Sequence, residues 1–179
     1  MGAILSRMRA EVDEAEDQRT VARALRRAKS RAALLVALAD LGGVWDLPAV
    51  TGALTDLADA AIETGVTWLL AEELRLGKLP GLTEERVAAG GGYVVLAMGK
   101  QGARELNYSS DIDLICLFDQ DQLDPTDYAE AKARYIRMTR ALVKLLSDQT
   151  DEGYVFRTDL RLRPAPSTTP VCMAMEAAE

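Results

Sequence analysis

The spacing of apolar residues changes character near residue 90, and that change decides what this chain can fold into. Before it, Ile4, Leu5, Met8 and Val12, then Val21, Leu25, Leu34, Leu35 and Leu38, recur at helical intervals. Gly42 and Gly43 interrupt the run. Asp46 stands where an N-cap belongs and Pro48 falls in the next first turn, so a second helical run is expected through Val50, Leu54, Leu57, Ala61, Trp68 and Leu69. Alanine is frequent here and β-branched runs are scarce, which suits helix. Residues 77–92 contain Pro80, Gly81 and three successive glycines and read as a loop or joint.

Beyond the joint the pattern is that of strands. Residues 93–98 and 112–118 are short continuous apolar runs, the signature of buried strands. Between Asp127 and Asp148, Tyr128, Ala131, Tyr135, Met138, Leu142 and Leu145 step three or four apart, which predicts an amphipathic helix. Residues 154–162 alternate and read as a half-buried strand. The expected order is helices, strand, short helix, strand, helix, strand, without internal repeat or low-complexity tract.

Composition narrows the chemistry. The formal net charge of −7 argues against a nucleic-acid-binding surface, which is normally basic. A local basic cluster, Arg23, Arg26, Arg27, Lys29 and Arg31, reads as the solvated face of an amphipathic helix. The chain has no histidine, so proton transfer and metal binding fall to carboxylates, hydroxyls, lysine or water. The two cysteines, Cys116 and Cys172, form no metal spacing, and Cys116 inside an apolar run reads as a buried filler. Residues 1–16 are charged and amphipathic rather than signal-like, and no membrane-spanning run is seen, so a cytoplasmic setting without membrane partners is expected.

The residues with chemical promise lie in the segment GKQGARELNYSSDIDLICLF, residues 99–118. Strand alternation puts Asp111 and Asp113 on one face, about 6–7 Å apart along the backbone, with Ile112, Leu114, Cys116 and Phe118 on the other. Two carboxylates on a rigid face repel unless a cation sits between them, and hard oxygen donors favour Mg²⁺ or Mn²⁺ over zinc. A lone Asp-x-Asp is short and is better read as an ordinary strand entry with two exposed acids. The second strand adds weight. Its alternation puts Arg157, Asp159, Arg161 and Arg163 on one face, so Asp159 becomes a third acid if the two strands are neighbours. Arginine forks then stand ready for phosphate oxygens, and metal held by the acids suits an in-line phosphoryl displacement. Gly99 allows close backbone approach to a phosphate, and Lys100 adds a charge. Ser109 and Ser110 are either phosphate donors or caps of the turn before the strand.

Together, GKQGARELNYSSDIDLICLF and DEGYVFRTDLRLRP resemble the glutamine synthetase adenylyltransferase family, the bifunctional adenylylating and deadenylylating enzymes of bacteria. The resemblance covers residues 99–164 most specifically. It implies an α+β fold of the nucleotidyltransferase superfamily, a small mixed sheet flanked by helices, with residues 1–88 as a preceding helical region and 89–179 as the catalytic core. Asp111, Asp113 and Asp159 match the family's three metal-binding carboxylates; Gly99, Lys100, Ser109, Ser110, Arg161 and Arg163 are the expected nucleotide-binding residues. Its wording is closer to the N-terminal of the family's two catalytic copies, which implies phosphorolysis of the AMP–tyrosine bond of glutamine synthetase to give ADP. The other copy transfers AMP from ATP. The PII signalling protein is the regulator the family implies. Where the family often has Leu-Gly-Gly after the lysine, this chain has Gln101, Gly102 and Ala103. The family also continues well past the arginine-rich strand, which suggests a fragment.

Overall fold

A computed structural model describes residues 1–178. Four helices come first: α1 (Gly2–Asp13), α2 (Gln18–Leu41), α3 (Leu47–Arg75) and the short α4 (Glu84–Ala88). The cap expected at Asp46 is in place, and Asp17 supplies another that was not anticipated. The Asp46 carboxylate accepts from the Ala49 amide at 2.9 Å, and Asp17 does the same for Thr20 at 2.7 Å, satisfying amides that have no partner inside the helix. The joint at 77–92 is more ordered than its glycines suggest, because Thr83 caps α4 through a bond from the Arg86 amide.

The remainder is β1 (Tyr93–Met98), the one-turn α5 (Gly99–Gly102), β2 (Ile112–Phe118), α6 (Tyr128–Ser147), β3 (Thr158–Asp159) and β4 (Cys172–Ala174). β1 runs antiparallel to β2 along its whole length. β3 and β4 both pair parallel with β2, β3 at its start and β4 at its end, so the small sheet is mixed. The fold is α+β and of the nucleotidyltransferase kind.

Two expectations need correction, and two features were not anticipated. Residues 154–162 do not form a continuous strand: only Thr158 and Asp159 join the ladder, and Val155 and Phe156 are buried in succession. The apparent alternation is broken because this segment packs against α6 before it reaches the sheet, with the Val155 and Phe156 amides both bonded to the Leu146 carbonyl. β1 is less buried than its apolar run implies; it is an edge strand and leaves Leu96 exposed. Leu34 and Leu38 keep the helical period yet are 62% and 63% exposed, on the side of α2 turned away from the core. β4 was not anticipated, although the apolar run after Pro170 carries the signal.

The core is continuous from the first helices into the sheet. α6 buries Ala131, Tyr135, Met138, Leu142 and Leu145, five of the positions its period selected. Tyr135 stacks on Phe118 with centroids 5.0 Å apart and donates to the Gly91 carbonyl at 2.6 Å, so the ring's polar end is satisfied. Polar links join the same parts. Arg134 of α6 meets Glu73 of α3 in a shielded two-pronged pair at 2.6 and 2.8 Å, geometry in which an arginine pair is strongest. Arg26 of α2 is fully buried and donates to the carbonyls of Ala22 (2.9 Å), Leu145 (3.1 Å), Gly153 (2.7 Å) and Asp148.

Cys116 and Cys172 sit side by side in the β2–β4 register, both free and buried. Burial pushes the Cys172 thiol up to about 12 and raises that of Cys116 as well. Thiolate is the reactive form. Both cysteines are therefore expected to ignore a chromogenic aromatic disulfide at pH 8 and to react fully once denaturant is added. Prompt colour from the native protein would contradict this.

Candidate active site

The site begins where β2 and β3 meet. The parallel register pairs Ile112 with Thr158 and Asp113 with Asp159, and the Ile112 amide donates to the Arg157 carbonyl at 2.9 Å. Neighbouring strands are about 4.8 Å apart and register partners share a face, so the two carboxylates emerge side by side. The opposite face of β2 is occupied as alternation required: Ile112, Leu114, Cys116 and Phe118 are buried. The conditional step of the sequence argument, that Asp159 lies beside the Asp-x-Asp strand, is met at the register level.

Gly99 closes the site from the β1 side. Its φ is +54°, and a Cβ there would lie 2.6 Å from the Asp113 Oδ2. Glycine is needed twice over, for the left-handed backbone and for the space beside the carboxylate. Gly102, at the end of the same turn, is constrained by backbone: a Cβ would fall 2.5 Å from the Ala97 carbonyl oxygen. Gly99→Ala is expected to cost about 1–3 kcal/mol, the range for a non-glycine residue held in this backbone region. It should also weaken Mn²⁺ binding, because the Asp113 carboxylate must move. Urea denaturation and Mn²⁺ titration check both effects, and a midpoint equal to that of the unsubstituted chain would contradict the first.

Asp111 precedes β2 and is half exposed. Its Oδ1 accepts from the Arg157 Nε at 2.5 Å, and the same guanidinium donates to the Ser109 carbonyl at 2.8 Å. The pair raises the Arg157 guanidinium above its ordinary value. Asp159 is the better shielded acid. Arg161 holds it, first through side-chain bonds of 2.5–3.0 Å and then through its amide at 2.8 Å, and its carboxyl lies below the usual range as a result. Arg161 also feels the charges of Asp113 and Asp111, which raise it further after Asp159 itself. One guanidinium is thus within electrostatic reach of all three acids.

The remaining predicted residues fall into different situations. Lys100 is exposed on α5, with no ion pair or side-chain hydrogen bond among the described residues. The Ser110 hydroxyl donates to Asn107 Oδ1 at 2.7 Å and accepts from the Asn107 amide at 3.3 Å, while the Ser109 amide bonds the same Asn107 oxygen. The Ser110 side chain and the Ser109 amide thus take part in the turn into β2. Asn107 organises that turn and was not singled out from the sequence; its place three residues before Ser110 was the available signal. Arg163 is anchored in the loop between β3 and β4, while its charge, after that of Arg161, helps hold the Asp159 carboxyl down. Its three nitrogens donate to the carbonyls of Leu160, Pro166 and Thr169, at 2.5, 2.7 and 3.2 Å, and fold up the loop between β3 and β4.

Donor chemistry at the Asp113–Asp159 pair fits a hard divalent cation: two carboxylates in register, with Gly99 leaving space at one of them. Two of the three acids are engaged with guanidinium groups, Asp111 with Arg157 and Asp159 with Arg161. Among the described residues no set of three or more acidic, thiol or imidazole side chains is gathered for a metal.

A small mixed sheet with paired aspartates at the meeting of two parallel strands, backed by helices, is the architecture of a nucleotidyltransferase. The chain matches the family described as glutamate–ammonia ligase adenylyltransferase over residues 2–179, and it belongs to that family. It is 51% identical over 158 residues to the bifunctional glutamine synthetase adenylyltransferase/adenylyl-removing enzyme of Xanthobacter autotrophicus, covering 88% of this chain and 16% of the relative. The enzyme of the same name from Bradyrhizobium diazoefficiens is 46% identical over 178 residues, covering 99% of this chain and 18% of the relative. The chain therefore spans less than a fifth of the length of these relatives. No helix among the described residues is long and apolar enough to cross a membrane.

Proposed function

We propose that this chain carries the deadenylylating chemistry of its family: phosphorolysis of the AMP–tyrosine bond on glutamine synthetase. The reading is supported above all by the Asp113–Asp159 register pair with Gly99 beside it, in a chain whose relatives are named for adding and removing adenylyl groups on that synthetase. An oxygen of inorganic phosphate attacks the phosphorus of the adenylyl group. The bond from phosphorus to the tyrosine oxygen breaks, the phenolate leaves and takes up a proton, and the products are ADP and the unmodified tyrosine.

Asp113 would hold Mg²⁺ or Mn²⁺ together with Asp159 once it parts from Arg161 and Asp111 once it parts from Arg157. A bound ion supplies charge neutralisation for the attacking and leaving oxygens. The chain's own cations do the rest. Arg161 and Arg157, now paired with acids, have the planar forks suited to phosphate oxygens, and exposed Lys100 adds a point charge at the rim. Gly99 lets the backbone lie close to the reacting group. Arg163 folds the loop between β3 and β4 and, through its charge on Asp159, stands as a further candidate for a phosphate oxygen. Glutamine synthetase is the protein substrate in this reading, PII the regulator, and the cytoplasm the setting.

The test is to incubate the chain with adenylylated glutamine synthetase, Mg²⁺ and phosphate and to measure ADP. ATP with unmodified synthetase is the opposite arm. ADP in the first arm supports the proposal, and AMP incorporation in the second alone would reverse its direction. Capture of the synthetase with neither product would leave a binding module without turnover.

A further inference from the structure

The basic cluster of α2 is not a uniform solvated face. Arg31 reaches Glu11 at 3.5 Å, while Arg23 and Arg27 approach Glu152 at 3.5 and 3.8 Å, all near the surface. Arg26 and Lys29 turn inward. Lys29 Nζ donates to the Val155 carbonyl at 2.8 Å and lies 4.5 Å from the Phe156 ring centroid and 5.6 Å from that of Tyr154. The Tyr154 ring also has the Arg157 guanidinium 5.9 Å from its centroid. Both distances fall in the range of cation–ring attraction.

The three residues that Lys29 touches lead directly into Arg157, Thr158 and Asp159. What fixes Asp159 opposite Asp113 is otherwise slight: the β2–β3 ladder has two register pairs. Because side chains alternate, a slip of one residue would carry Asp159 to the other face and take it away from Asp113. The segment before β3 is held instead from outside the sheet, by the Leu146 carbonyl, by Ser147 Oγ accepting from the Thr158 amide at 3.1 Å, and by Lys29.

We propose that Lys29 is a positioning residue for the acid pair: it pins residues 154–156 and thereby keeps Asp159 beside Asp113 and Arg157 beside Asp111. The inference rests on the reading of Asp113 and Asp159 as the working carboxylates. It assigns a task at the site to a helix 70 or more residues earlier in the chain than the Asp-x-Asp strand.

Lys29→Met keeps the stem against the rings and removes the donor. Lys29→Arg keeps a donor. Site-resolved amide exchange and Mn²⁺ affinity by electron paramagnetic resonance, both on the 179-residue chain, read the effect. For Lys29→Met we expect exchange at Val155, Phe156, Thr158 and Ile112 to accelerate about tenfold, the scale of one charge-assisted hydrogen bond, with the β1–β2 ladder unchanged. Mn²⁺ affinity should fall by a similar factor, and Lys29→Arg should recover both. Unchanged exchange at those four amides, or equal acceleration throughout the chain, would overturn the proposal. So would a loosened segment with undiminished Mn²⁺ affinity. If the unsubstituted chain binds no Mn²⁺, the metal reading of the acids fails, while the exchange pattern still upholds or overturns the hold of Lys29 on the strand.

Discussion

Asp113→Asn should lower ADP formation by about 10²–10³-fold, the scale seen when a charge-stabilising group is removed from a preorganised site, while leaving the protein folded. Asp113 faces away from the core, its neighbours Ile112 and Leu114 supply the burial, and its register partner is another carboxylate. Neutralising it removes the repulsion from Asp159 along with a longer-range attraction to Arg161, and breaks no hydrogen bond within the fold. The expected result is therefore divergent: lost Mn²⁺ binding and turnover, with a thermal midpoint equal to or above that of the unsubstituted chain. Calorimetric Mn²⁺ titration, ADP assay and thermal melting are the three measurements. Retained turnover would remove Asp113 from the machinery, and a collapsed melting point would recast it as structural.

Arg26→Met should act in the opposite sense, on stability. The guanidinium is buried among four carbonyls, two of them, from Leu145 and Asp148, at the C-terminal end of α6. Burial pulls it below its ordinary value, and the charges of Asp148 and Glu152 oppose that shift. It remains a cation at neutral pH, placed at the negative end of a helix dipole. Methionine fills comparable space and leaves those carbonyls without their donor. We expect a loss of about 3–5 kcal/mol, as when one partner of a buried charged network is deleted. Urea denaturation followed by circular dichroism measures it. A loss below about 1 kcal/mol, the worth of an ordinary hydrogen bond, would show that the clamp contributes no more than its packing.

The contrast between these two residues marks what could be read from the chain beforehand. Asp113 was legible because alternation is local: two apolar neighbours in β2 dictate which way it points. Helices α2, α3 and α6 were legible for the same reason, with caps at Asp46 and periodic positions such as Tyr135. Arg26 and Lys29 were not, because their carbonyl partners, Ala22 apart, lie 119–127 residues away and offer no side-chain pattern to recognise. The segment 154–162 misled through its own regularity. Its alternation belongs to a stretch that packs on α6 for half its length and then turns into a loop organised by Arg163. The placement of Asp159 beside Asp113 was foreseen only as a condition, since pairing between strands is set by the intervening helix and not by either strand alone.

The brevity of β3 has a consequence for handling this protein. A molecule in which two residues have failed to dock on β2 keeps its helices, the β1–β2 pair and nearly all of its buried surface. Such molecules would co-elute with the competent ones, melt with them and give the same circular dichroism spectrum. On the proposed reading the fraction folded and the fraction competent are separate quantities, and a specific activity is to be divided by the number of Mn²⁺ ions bound in titration.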